Sequence, residues 1–309
     1  MRKLLMIGAF LAAAVSIATA ADTTPAKTSL SAADIVAKNI AARGGLQAWR
    51  SVQTLSWTGK MGAGGNQREP IPVNLKGKGE AASLPVPSRP KDEAQLPFLM
   101  EMQRPRKVRI ELQFNGKTAV QVYDGANGWK VRPFLNRNEV EPFSTDELKI
   151  ASMQADLDGP LVDYAAKGTR VDLKGTEKVD DRDNYKLKLT LKNGQSIHLW
   201  IDAATFLETK IEGSPRRLDG EEHPVEIYYS DYRPISGLQI PFVLETRVLP
   251  LPSAPKGSRN VVPPEKIVLE KVTVNPTFDA SLFTKPQVQT ATNLGSTIGA
   301  GRTPASSAR

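Results

Sequence analysis

The fold class is decided by the stretch Tyr185-Lys186-Leu187-Lys188-Leu189-Thr190-Leu191-Lys192-Asn193-Gly194. Large apolar side chains alternate with polar ones along it, which is the period-two pattern of a strand that buries one face. An Asn-Gly pair after such a run is typical of a tight hairpin turn. The stretch therefore predicts an antiparallel strand that has one solvent-exposed polar face and one buried apolar face.

The same alternation recurs along most of the chain. It appears at 107–114, 225–229 and 238–244, and Asn115-Gly116 marks a second hairpin. We count about eleven strands, and the turns between them are too short for parallel crossovers, which indicates antiparallel pairing. The sequence therefore predicts a mainly β fold.

Two segments have a helical pattern instead. Ser31 with Asp34, and Ser144 with Glu147, have the spacing of capping boxes, which predicts short helices near 32–43 and 144–167. Their apolar side chains are expected to pack on the sheet as the inner faces of a lid. These lid-face candidates are Ile35, Val36 and Ile40 in the first helix, and Leu148, Ile150 and Met153 in the second.

An antiparallel sheet with one apolar face must cover that face. Two short helices are too few to cover about eleven strands completely, so the pattern leaves two architectures open: a sandwich, or an incomplete barrel with helices as a lid. The hollow of such a barrel is either filled by side chains or forms an apolar cavity. The candidates for lining it are Trp57, Phe98, Val108, Ile110, Leu112, Tyr123, Trp129, Leu187, Leu189, Leu199, Ile201, Tyr229 and Phe242.

Composition excludes several kinds of site. The 309 residues include no cysteine and only two histidines, which removes disulfides, thiolate metal sites, cysteine nucleophiles and a three-histidine zinc site. The formal charge of +8 does not come with a known nucleic-acid-binding module, so no nucleic acid partner is expected. No acid–base pair or nucleophile motif stands out, and we therefore expect no catalytic residues, metal or cofactor.

The first 20 residues have the pattern of a secretory signal peptide. Arg2 and Lys3 precede an apolar stretch, and Ala18-Thr19-Ala20 offers the small residues of a cleavage site. The expected product begins after Ala20 and is located in the periplasm. We expect one domain over 21–286 and a disordered tail over 287–309. Insertion loops are predicted near 62–96 and 250–264.

Four fragments resemble known periplasmic proteins. Gln103-Arg104-Pro105-Arg106-Lys107-Val108-Arg109 resembles the Arg-Pro segment of LolA-type lipoprotein carriers, and Tyr123-Asp124-Gly125-Ala126-Asn127-Gly128-Trp129-Lys130-Val131 is similar to the turn and strand that follow it there. Leu199-Trp200-Ile201-Asp202 resembles a strand of the related RseB-type sensors. Phe278-Asp279-Ala280-Ser281-Leu282-Phe283-Thr284-Lys285-Pro286 is similar to the closing segment of the carriers.

The resemblance implies an incomplete barrel, lidded by helices, whose hollow accepts acyl chains of lipoproteins or lipids. It also implies that Arg104 is a latch between the lid and the barrel. The implied function is a non-enzymatic, monomeric carrier of acylated cargo in transit to the outer membrane, with a membrane-bound donor or acceptor protein as a further partner. The alternative is an RseB-like regulatory binding module that acts on a membrane partner.

Overall fold

The computed structural model describes residues 30–64, 93–218, 220–254 and 262–287. Three α-helices lie in these ranges, α1 (Ala32–Ala42), α2 (Leu46–Ser51) and α3 (Thr145–Gln154), together with 3-10 helices at Pro133–Leu135 and Ala280–Phe283. The strands are β1 Thr54–Gly64, β2 Glu93–Gln103, β3 Lys107–Phe114, β4 Lys117–Tyr123, β5 Gly128–Arg132, β6 Arg137–Pro142, β7 Arg170–Val179, β8 Arg182–Thr190, β9 Ser196–Asp202, β10 Glu208–Glu212, β11 Arg216–Leu218, β12 Glu221–His223, β13 Val225–Ile235, β14 Leu238–Val248 and β15 Glu265–Val274.

One antiparallel sheet dominates the structure. It contains thirteen strands in the order β6-β5-β4-β3-β2-β1-β15-β14-β13-β10-β9-β8-β7, while β11 and β12 form a separate pair. The two ends of this order, β6 and β7, do not pair with each other, so the sheet stays open. Because neighbouring strands twist relative to one another, a sheet of this width curls. The predicted mainly β, incomplete antiparallel barrel is confirmed.

The hairpin predicted at Asn115-Gly116 joins β3 to β4. Both turn residues have positive φ, 49° for Asn115 and 71° for Gly116, which is the backbone that a two-residue hairpin turn requires. Three strands were not predicted, namely β6, β11 and β12. β6 contains a single large apolar residue, Val140, and ends in a proline, so it carries no alternating pattern.

Both predicted capping boxes are present. The Ser31 side chain accepts from the Asp34 backbone N–H at the start of α1, and the Ser144 side chain accepts from that of Glu147 at the start of α3. The prediction of helix over 144–167 is wrong in its second half, because α3 ends at Gln154 and turns follow it. Gly159 and Asp163 have φ values of 78° and 51°, which an α-helix cannot contain.

Residues 143–169 join β6 to β7, the two opposite edges of the main sheet. This connection crosses the inner face of the sheet, because its side chains Ala155, Leu157 and Val162 belong to the same apolar cluster as Phe98 and Val108 of β2 and β3. Half-buried residues of α3 pack against this cluster as well. The inner face is thus covered by the segment that bridges the open side of the sheet.

Several predicted segments lie wholly or partly outside the described residues. The predicted signal peptide, the tail from 288 onward and the ranges 65–92 and 255–261 belong to this group. The loop predicted over 62–96 is too long at both ends, since β1 continues to Gly64 and β2 begins at Glu93. Of the helices in the described ranges, none is long and apolar enough to cross a membrane.

Candidate binding site beneath the helices

Most of the predicted lining residues lie in one apolar cluster under α2 and α3. Phe98, Val108, Tyr123 and Phe242 are buried there, and Trp49 of α2 packs among them. The half-buried members from the same list of candidates are Trp57, Ile110 and Leu112. Seven of the thirteen candidates thus converge on the inner face of β1–β4 and β14.

Four other candidates form a second region of the sheet. Leu187 and Leu189 of β8, and Leu199 and Ile201 of β9, are all less than 2% exposed. The neighbouring strand β7 contacts α1. Ile35 and Val36, two of the predicted lid-face residues, are buried on α1. This region is closely packed, whereas Ile40 at the other end of α1 contacts the first cluster.

The two remaining aromatic candidates are placed differently. Trp129 pairs with Val122, which in turn pairs with Arg109, whereas the inward-facing Val108 pairs with Tyr123. Trp129 therefore lies on the outer face of the sheet. We therefore correct its assignment to the hollow. Tyr229 lies near a buried ion pair of Arg43 and Glu208. Burial, and next the negative charge of Glu208, raise the pKa of its hydroxyl far above the ordinary value.

A groove separates α3 from β3 and β4. Its volume is about 100 Å³, and its apolar lining includes Val108, Ile110, Tyr123, Phe143, Ile150 and Ala151. Ligand pockets usually have volumes of about 300–1,000 Å³. The hollow is therefore largely filled by side chains, and a ligand larger than this groove fits only if a covering element moves.

Helix α3 is the covering element that is held least firmly. It has no buried residue, whereas α1 buries Ile35, Val36 and Asn39 and α2 buries Trp49. Leu148 packs against the apolar cluster, Ile150 lines the groove, and Met153 is half-buried. Displacing α3 removes less apolar contact than displacing α1 or α2 would.

Two polar contacts fasten α3 to the sheet. Lys130 of β5 donates to both carboxylate oxygens of Glu147 at 2.5 Å, and Arg106 donates to the Ser152 carbonyl. Desolvation acts to raise the pKa of Glu147, but the hydrogen bonds from Lys130 and the Ser144 backbone outweigh it and the pKa is lowered. The ion pair between Lys130 and Glu147 is therefore fully formed at neutral pH, and it weakens only when acid protonates the Glu147 carboxylate.

Arg104 joins α2 to the covering connection. Its Nε donates to the Val52 carbonyl at 2.7 Å, and its Nη2 donates to the Trp49 carbonyl at 3.2 Å and to Asp158 Oδ2 at 2.6 Å. A planar guanidinium can reach several acceptors at once in this manner. The residue that the resemblance assigned as a latch thus contacts both covering segments from the turn between β2 and β3.

Asp158 is the centre of a buried ionic network that the sequence did not reveal. Its carboxylate also accepts from Lys167 at 2.7 Å, and its backbone carbonyl accepts from Arg43 at 3.1 Å. Arg43 in turn forms an ion pair with Glu208 of β10 at 3.1 Å, and both side chains are less than a tenth exposed. The network therefore links the end of α1, the covering connection and the sheet.

The similarity of this chain to known proteins lies in its structure. No protein-family profile matches the sequence, and no curated protein has a significantly similar sequence. The chain is similar to a LolA superfamily protein from Nitrosomonas europaea, with 14% identity, a TM-score of 0.51, and coverage of 83% of this chain and 99% of that chain.

Two further solved structures are similar over comparable lengths. A DUF1329 family protein from Desulfovibrio piger has 15% identity and a TM-score of 0.49, with 82% of this chain and 98% of that chain covered. A proposed outer membrane lipoprotein-sorting domain from Vibrio parahaemolyticus has 12% identity and a TM-score of 0.48, with 81% and 95% covered. The likeness to the Nitrosomonas protein, together with the open sheet and its helical cover, shows that this chain shares the fold of that LolA superfamily protein.

Proposed function

We propose that the protein is a non-enzymatic periplasmic carrier that binds the acyl chains of lipoproteins or other lipids in transit to the outer membrane. The observation that carries this proposal is the apolar inner face of an open sheet, covered by short segments that are joined through a few polar contacts. Such a cover opens without unfolding the sheet beneath it. The predicted signal peptide supports export to the periplasm.

The binding energy follows from burial of the acyl chain. Each buried methylene contributes about 0.8 kcal/mol, so ten methylenes contribute about 8 kcal/mol, which corresponds to a micromolar Kd. Opening the cover subtracts from this sum. Binding and release are then governed by the balance between the closed, empty form and the open, loaded form.

Delivery requires a partner that favours the open form. We expect the carrier to act as a monomer and to receive or release its cargo at a membrane-bound donor or acceptor protein. A role as a regulatory module would use the same hollow but would not move acyl cargo between two sites.

A reloading experiment tests the proposal. The protein is stripped of lipid and titrated with a palmitoylated peptide that carries a fluorophore, with the same peptide lacking the acyl chain as the control. We expect saturable binding of one acylated peptide per protein at micromolar or lower Kd, because the acyl chain supplies the energy. Equal binding of both peptides, or no saturable binding, would contradict the carrier function.

A further inference from the structure

A row of paired side chains crosses the inner face of the sheet from β2 to β13. Residues that are directly paired on neighbouring strands share a face, and the members in strand order are Leu96, Met61, Ile267, Leu244 and Tyr229. Met61 and Ile267 pack against the buried apolar cluster, so the row lies on the inner face. Because neighbouring strands are about 4.8 Å apart, the row is about 19 Å long.

This row is less covered than the next level of the sheet. All five of its side chains are half-buried. Phe98, Phe242 and Leu269, each two residues further along its strand, are buried. The cluster that contains these three residues also borders the groove beneath α3. The row therefore extends the apolar surface of the groove and leaves part of it open to a ligand.

The Tyr229 hydroxyl is the one hydrogen-bond donor among the side chains of the row. On the same strand, the hydroxyls of Tyr228 and Tyr232 donate to Glu226 Oε2 at 2.6 Å and to the Glu208 carbonyl at 2.9 Å. Within the part of the chain that the structure describes, no group pairs with the Tyr229 hydroxyl. A hydroxyl that is removed from water without a partner costs free energy, which an acceptor on a ligand recovers.

The charges around this hydroxyl favour an uncharged acceptor. Glu208 and Arg43 form a buried ion pair near it, and the negative charge of Glu208 acts on Tyr229 more strongly than the positive charge of Arg43. Burial, and next the charge of Glu208, raise the pKa of the hydroxyl, so it stays protonated and able to donate. A ligand carboxylate at this position is repelled by Glu208, whereas the carbonyl of an ester or amide is not.

We propose that Tyr229 donates a hydrogen bond to the ester or amide carbonyl of an acyl group whose chain lies along this row. We call this contact the carbonyl anchor. The inference rests on the proposed carrier function and deepens it, because it names acyl esters and amides, rather than free fatty acids, as the cargo. Acylated lipoproteins and glycerolipids both present such a carbonyl.

Competition binding tests the carbonyl anchor. The lipid-free protein is loaded with the fluorescent palmitoylated peptide, which is displaced by monopalmitoylglycerol, by the hexadecyl ether of glycerol, which has no carbonyl, or by palmitate. We expect the ester to bind about fivefold more tightly than the ether, which is the contribution of one neutral hydrogen bond. We also expect it to bind more tightly than palmitate. The relative affinities of the ester and the peptide distinguish a glycerolipid from a lipoprotein as the source of the carbonyl.

Two substitutions assign the preference to one hydroxyl. Tyr229→Phe should abolish the preference for the ester over the ether, because the ring remains but the donor is lost. Tyr228→Phe is the matched control and should keep the preference, since adjacent residues of a strand point to opposite faces. The affinity ratio is measured within each variant, so a variant that is merely less stable does not imitate the loss of the bond.

Infrared spectroscopy gives a second readout. With carbon-13 at the carbonyl of the ester, the bound band should lie at lower frequency in the unaltered protein than in Tyr229→Phe. Equal affinities for ester and ether, a preference that Tyr229→Phe retains, or an unshifted band would each overturn the carbonyl anchor, while saturable binding of the peptide would still support the carrier function. Absence of saturable binding by every acyl ligand would overturn both.

Discussion

Arg43→Met should lower the free energy of unfolding by about 3–5 kcal/mol, the cost of leaving one charge of a buried ion pair without its partner. Arg43 and Glu208 are both less than a tenth exposed, so solvent cannot replace the lost contact. The substitution also removes the hydrogen bond to the Asp158 carbonyl and the stacking of the guanidinium on the Trp49 ring at 4.4 Å. Equilibrium unfolding in urea measures the effect.

The control is the double substitution Arg43→Met with Glu208→Met. Replacing a whole buried ion pair by apolar side chains is often nearly neutral. Tyr232 retains its hydrogen bond to the Glu208 carbonyl at 2.9 Å, so the double variant should recover most of the lost stability. A single variant as stable as the unaltered protein, or a double variant no better than the single one, would show that the pair does not stabilise the fold as described.

Arg104→Leu should strengthen the apparent binding of an acylated peptide about thirtyfold, through faster association. The substitution removes the bonds that hold the closed, empty form, and hydrogen bonds to a charged partner contribute about 2 kcal/mol. Asp158 keeps its bond to Lys167, so the carboxylate is not left without a cation. Because cargo binds the open form, destabilising the closed form raises the fraction of protein that is ready to bind.

Arg50→Leu is a matched control for this prediction. Arg50 is also an arginine at a covering segment, but its ion pair with Asp163 is solvent-exposed, and such pairs contribute about 0–1 kcal/mol. Its effect on affinity should therefore be small. Arg104→Lys should have an intermediate effect, since the charge remains but the planar fork is lost. An Arg104→Leu variant that is folded and binds and releases the peptide at unaltered rates would contradict a latch.

The sequence predicted the strands wherever alternation is strong. Leu187 and Leu189 are fully buried, as the alternation in the opening stretch requires. β6 was missed because an edge strand with only one large apolar residue has no such signal. Trp129 shows a different limit of prediction from sequence. Alternation shows which residues of one strand share a face, but which of the two faces points inward depends on how the strand pairs with its neighbours.

The site was predictable only in part. The apolar lining follows from alternation, and Arg104 was singled out by resemblance. Its partner Asp158 is 54 residues away, and Glu208 is 165 residues from Arg43. When the fold brings together two charged residues that are so far apart in the sequence, their pairing leaves no recognisable pattern in the sequence. An arginine at the end of a helix, such as Arg43, is by pattern alone an ordinary exposed residue.

In the proposed carrier, acyl chains bind between α3 and the inner face of the sheet. Photo-crosslinking tests this position of the acyl chain. The lipid-free protein is loaded with a fatty acid that carries a diazirine on its chain and is then irradiated. The protein is digested, and the crosslinked peptides are identified by mass spectrometry. We expect adducts on peptides from β3, β4 and α3, with Ile110, Tyr123 and Ile150 as the nearest side chains, and we expect excess palmitoylated peptide to abolish them. Adducts confined to outer-face residues, or a pattern that the acylated competitor leaves unchanged, would contradict it.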